Sequence, residues 1–100
     1  MDAVTPGPGR VERRIVVAGA VQGVGYRWFT RELAHRFRMA GWVRNMPDGT
    51  VVLEVAVDAA DLDRIVDALR AGPPAAVVSG VTVTSRTDDS PLPDHFTVLR

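Results

Sequence analysis

The residues best suited to chemistry lie in one run, Gly19-Ala20-Val21-Gln22-Gly23-Val24-Gly25-Tyr26-Arg27. It separates Arg14 to Ala18, an apolar segment with the character of a buried strand, from Trp28 to Met39, which reads as a helix. Glycines in such a turn adopt φ > 0 and let backbone N–H groups converge on one point. The start of the helix adds partial positive charge there, and Arg27 adds a planar fork of donors. The combination suits an anion the size of one phosphoryl group. It is not a dinucleotide fingerprint, because the glycines fall as G-x-x-x-G-x-G, and it lacks the Gly-Lys-Ser/Thr of a P-loop. As a bare glycine pattern it also fits a simple turn; Arg27 tips it toward binding.

A second segment, Gly41-Trp42-Val43-Arg44-Asn45-Met46-Pro47-Asp48-Gly49-Thr50-Val51, ends a strand on Asn45 and turns through Pro47-Asp48-Gly49. Asparagine before a turn ordinarily serves local turn chemistry. If the strand ends beside the glycine loop, Asn45 can instead hold a water.

The elements that position these residues follow from periodicity. The first strand covers Arg13 to Ala18. The first helix carries Phe29, Leu33 and Phe37 as its buried stripe, and Gly41 marks its end. Gly41 to Asn45 and Thr50 to Val57 form a hairpin, with Val51, Leu53, Val55 and Val57 on one face. The second helix starts at the acids Asp58 to Asp61, carries Leu62, Ile65, Val66 and Leu69 inward, and stops at Gly72-Pro73-Pro74. Val77 to Ser85 is a further strand, Thr87 to Pro93 a polar loop, and Phe96 and Val98 mark a short last strand. The order is β-α-β-β-α-β plus a short C-terminal strand. This is an α+β fold, the ferredoxin-like split βαβ arrangement, with two helices on one face of an antiparallel sheet. Residues 1–10, with Pro6, Gly7, Pro8 and Gly9, read as a disordered tail, and residues 11–100 as one domain.

Composition narrows the function classes. The chain has 100 residues and no cysteine, which removes disulfides, zinc–thiolate sites and thiol nucleophiles. No signal peptide and no membrane-spanning run is visible, so a cytoplasmic protein is expected. Net charge is zero, yet Arg10 to Arg44 holds eight arginines against Glu12 and Glu32, while Asn45 to Arg100 holds four against nine acids. The arginine-rich half reads as a solvated helix face rather than a polyanion site. His35 and His95 belong to no spaced ligand set. Asp58, Asp61 and Asp63 lack the glycine and distal glutamate of a calcium loop and read as helix caps. Tyr26 and Trp42 are packing residues, Arg44 a surface residue, and Trp28 either shields the loop or covers a strand edge.

The two motifs together resemble the acylphosphatase family. Val21-Gln22-Gly23-Val24-Gly25-Tyr26-Arg27 matches its signature loop, and Gly41-Trp42-Val43-Arg44-Asn45 with Asp48-Gly49-Thr50-Val51 matches its second motif. The resemblance runs from about Arg13 to Arg100. Ala20 departs from the basic residue common at that place in the family, and Met46 stands where some members have threonine. The resemblance implies hydrolysis of acyl phosphates to a carboxylate and inorganic phosphate, by in-line attack of an oriented water, with no metal and no cofactor. It assigns phosphate binding to Arg27 and the amides of Gln22, Gly23, Val24, Gly25 and Tyr26, and water orientation to Asn45. It implies a small-molecule partner, neither nucleic acid nor membrane, and a monomer. Two rival readings share the scaffold. One is a non-catalytic anion-binding module. The other is an RNA-binding domain, which needs exposed aromatics on the central strands, where the outward face offers only Val16, Val52 and Glu54.

Overall fold

The computed structural model describes residues 9–100. Its elements are β1 (Arg10–Ala20), α1 (Tyr26–Phe37), β2 (Ala40–Asn45), β3 (Val51–Asp58), a 3-10 turn (Ala59–Asp61), α2 (Leu62–Ala71), β4 (Val77–Ser85) and β5 (Thr97–Val98). The expected N-terminal tail lies outside the described residues, except that Gly9 is described and Arg10 already opens β1.

One five-stranded sheet has the order β4-β1-β3-β2-β5. Both helices cover one face. Ile15 and Val17 of β1, Val43 of β2 and Leu53, Val55 and Val57 of β3 pack there with Leu33 and Ala34 of α1 and Ile65 and Leu69 of α2. β1 and β3 are the central neighbours, as a split βαβ order requires. The sheet is not purely antiparallel: β5 pairs parallel to β2 through Trp42↔Thr97 and Val43↔Val98. The reason is directional. β4 and β3 both run opposite to β1, and β2 runs opposite to β3. A chain leaving β4 therefore arrives where β2 begins and returns alongside it.

The first helix differs from its expected frame at both ends. It begins at Tyr26 rather than Trp28, and its fully buried stripe is Tyr26, Thr30, Leu33 and Ala34, with Phe29 and Phe37 half-buried beside it. Thr30 tolerates burial because its hydroxyl donates to the Arg27 carbonyl at 2.6 Å. The helix ends on Arg38 in the left-handed region (φ 54°), not on Gly41. Gly41 belongs to β2, where its backbone (φ 124°) comes so close to β3 that a Cβ would lie 2.0 Å from the Glu54 carbonyl oxygen.

Asp58 caps the 3-10 turn that leads into α2 by accepting from the Ala60 amide, whereas Asp61, at the N-cap of α2, makes no side-chain cap bond and pairs with Arg64 instead. No described helix is long and apolar enough to cross a membrane.

Candidate active site

The strand register brings the two motifs together. Val17 of β1 pairs with Val51 of β3, and Val51 pairs with Asn45 of β2. Directly opposed residues share a sheet face, so Asn45 lies on the helix side with Val17, while Arg44 lies on the outer side with Val52. Because β1 and β2 run in the same direction, the end of β2 stands beside the point where β1 enters the glycine loop. A cavity of about 560 Å³ opens there, and Gly23, Gly25, Arg27 and Asn45 all line it.

The loop between β1 and α1 is shaped by two left-handed glycines, Gly23 (φ 76°) and Gly25 (φ 80°), the latter capping α1. Among the described residues no main-chain acceptor takes the amides of Gln22, Gly23, Val24 or Gly25. The helix begins with the Phe29 amide bonded to the Gly25 carbonyl at 3.0 Å, which leaves the preceding amides as free N-terminal donors. Of the expected phosphate-binding residues, Gly23, Gly25, Tyr26 and Arg27 line the cavity, whereas Gln22 and Val24 do not, Val24 packing against the core.

Three contacts fix this geometry. The Tyr26 hydroxyl donates to the Leu69 carbonyl of α2 at 2.6 Å; the side chain is 1% exposed, and burial pushes its phenol well above the usual tyrosine range. Tyr26 is thus a packing residue at the first position of α1 that also borders the cavity. Arg27 donates through Nη1 to the Leu99 carbonyl at 2.8 Å, so the strand edge beyond β5 braces the guanidinium. The Gln22 side-chain amide donates to the carbonyls of Met46 at 2.8 Å and Thr50 at 2.9 Å, clasping the loop to the β2–β3 turn. That turn is itself tied. Asp48 accepts from the amide and the hydroxyl of Thr50, which holds its carboxyl below the ordinary aspartate range.

The resemblance assigns Gln22 only a backbone amide, yet its side chain ties the loop to the β2–β3 turn, a role hinted at in the sequence only by a polar side chain within an otherwise small, apolar loop. Of the two readings open for Trp28, the structure favours the one beside the loop, since Trp28 lines the cavity; Val98 and Arg100, which complete that wall, carry no signal in the sequence. The last two come from the chain terminus, and their proximity depends on the parallel β2–β5 pairing. His35 and His95 are exposed and share a separate groove with Arg31 and Asp94, away from the glycine loop. Arg44 is exposed, its guanidinium 5.8 Å from the Trp42 ring.

Comparison with known proteins agrees with this architecture. The family model described as Acylphosphatase matches residues 13–98. The chain belongs to the acylphosphatase family. An acylphosphatase from Gloeobacter violaceus is 44% identical over 90 residues, covering 90% of this chain and 95% of its own. Among solved structures, an acylphosphatase from Bacillus subtilis superposes with a TM-score of 0.79 at 34% identity, covering 89% of this chain and 98% of its own. One from Coxiella burnetii superposes with a TM-score of 0.85 at 27% identity, covering 97% and 100%. As an acylphosphatase the protein is a hydrolase acting on acyl phosphates.

Proposed function

We propose that Arg27, Asn45 and the amides of Gln22 to Tyr26 are the groups that carry this hydrolysis, and that they do so without a metal ion. The supporting observation is that Arg27, Asn45 and the two loop glycines line one cavity. In this reading the amides and the Arg27 fork bind the phosphoryl oxygens and stabilise the charge that spreads over them in the transition state. The Asn45 carboxamide, which does not titrate, orients a water in line with the scissile bond. The water oxygen bonds to phosphorus and the phosphorus–oxygen bond to the acyl group breaks. The electron pair leaves on the carboxylate. One water proton stays on the new hydroxyl, and the other passes to a phosphate oxygen. A dianionic acyl phosphate thus becomes a carboxylate and dihydrogen phosphate. A carboxylate, whose acid has a pKa near ~4, departs without a general acid, and this is why an arginine and amides suffice.

The test is hydrolysis of benzoyl phosphate in the presence of a chelator. The wild type is expected to turn over. Arg27→Ala should lose at least ~10²–10³-fold in kcat, as for other transition-state donors, and Asn45→Ala should fall by a comparable factor. Activity that survives Arg27→Ala, or that requires added metal, overturns the reading.

A further inference from the structure

We infer that Trp28 and Val98 form an apolar acyl subsite that makes the enzyme selective for bulky, planar acyl phosphates over small ones; this rests on the phosphoryl group occupying the Arg27 loop as proposed above. Among the described residues three large hydrophobic side chains are exposed, and two of them, Trp28 (60%) and Val98 (39%), line this same cavity. Exposed apolar surface gathered at one concavity marks a binding surface, whereas scattered exposure needs no explanation. The cavity also exceeds what a phosphoryl group needs. Its volume of about 560 Å³ falls in the ~300–1,000 Å³ range of pockets that enclose whole organic ligands.

Chain geometry places the subsite next to the reacting end. Trp28 directly follows Arg27 in the first turn of α1, and Val98 directly precedes Leu99, whose carbonyl holds the Arg27 guanidinium. A substrate anchored by its phosphate on Arg27 therefore extends its acyl end along these two side chains. The indole is itself held in place: the Arg31 guanidinium, one turn further along α1, stacks 4.8 Å from the ring centroid. A fixed aromatic surface gains stacking energy from an aryl or other planar acyl group and little from a methyl or amino group. Arg100, also on the rim, adds positive charge that serves the phosphate dianion.

The experiment compares kcat/KM for benzoyl phosphate and acetyl phosphate in the wild type, Trp28→Ala and Trp28→Phe. Trp28→Ala is expected to lower the benzoyl-to-acetyl ratio roughly tenfold, chiefly through the KM for benzoyl phosphate, and Trp28→Phe should restore most of it. A ratio within about twofold of wild type in Trp28→Ala overturns the subsite. Competitive inhibition by inorganic phosphate separates binding of the acyl group from support of the loop: if phosphate weakens in parallel with benzoyl phosphate, Trp28 acts on the loop and the inference falls. A wild type that hydrolyses neither substrate defeats the proposed reaction, whereas one that hydrolyses both with an unmoved ratio defeats only the subsite.

Discussion

Tyr26 and Arg27 are neighbours that leave the first turn of α1 in different directions. Both border the cavity, but the Tyr26 side chain is buried and its hydroxyl donates to the Leu69 carbonyl near the end of α2. The loop is therefore fixed to the body of the protein at the same turn that presents its cation. The Tyr26 phenol makes this anchor sensitive to alkali. Its folded pKa is raised above the ordinary value near ~10, so above that pH the unfolded chain loses the proton before the folded one does. The associated stability is fully present below pH ~10 and declines as pH rises further. Denaturant unfolding followed between pH 8 and 11 should show this alkaline decline in the wild type. In Tyr26→Phe the decline should be shallower. At neutral pH that variant should be less stable by about 1–2 kcal/mol, because the buried Leu69 carbonyl loses its donor. An alkaline limb of unchanged slope in Tyr26→Phe would show that another group carries it.

At the level of elements, the glycines separate those that shape the site from those that let strands meet. Gly23 has a left-handed φ and open space where a Cβ would project, so its cost on substitution is conformational and local to the loop. Gly41 has both a left-handed φ and a backbone wall against β3. Gly41→Ala is expected to lower the unfolding free energy by about 3 kcal/mol or more, the sum of strain and overpacking. Gly23→Ala should lose activity with a smaller stability change; a Gly41→Ala protein as stable as wild type would contradict the close approach. This distinction also marks where the sequence could be read. Alternating valines in Thr50 to Val57 and the Leu62–Ile65–Val66–Leu69 pattern identify their elements because hydrophobic period reports burial directly. Gly41 misleads, because glycine after a helical stretch resembles a terminator, and only the pairing with β3 reveals its other use. The meeting of Arg27 with Asn45 was legible through strand order, whereas the Leu99 brace on Arg27 was not. It depends on a two-residue parallel pairing that has no periodic signature.

Over the whole molecule, the site depends on how the chain travels from β4 at one edge of the sheet to β5 at the other. The outer face of β1 and β3 carries an ion cluster on that route. Glu54, 4% exposed, accepts from Arg14 and from Arg86, and Arg86 also reaches Glu12 and the Ser90 carbonyl. The paired carboxylates hold Arg86 more firmly protonated than a free arginine. Glu54 can thus be buried on a face that the strand alternation turns toward solvent, because two guanidinium groups cover and pair it, and Arg86 ties the segment after β4 to the same cluster through the Ser90 carbonyl. The same segment leads on to Pro93, whose carbonyl takes the Gly41 amide at 3.1 Å, and then to Leu99 beside Arg27. The cluster thus anchors the start of the path that ends at the Leu99 carbonyl, the brace on Arg27. A buried carboxylate flanked by guanidinium groups contributes little net stability over an apolar pair, yet removing one partner leaves an uncompensated charge. Glu54→Leu is therefore expected to cost about 3–5 kcal/mol in urea unfolding, and Glu54→Leu combined with Arg86→Leu should recover much of that loss. If Arg86 is held by Glu54 as drawn, the two changes are strongly non-additive. Additive losses would instead mean that the connection is fixed by its other contacts, and that Arg27 keeps its brace without the cluster.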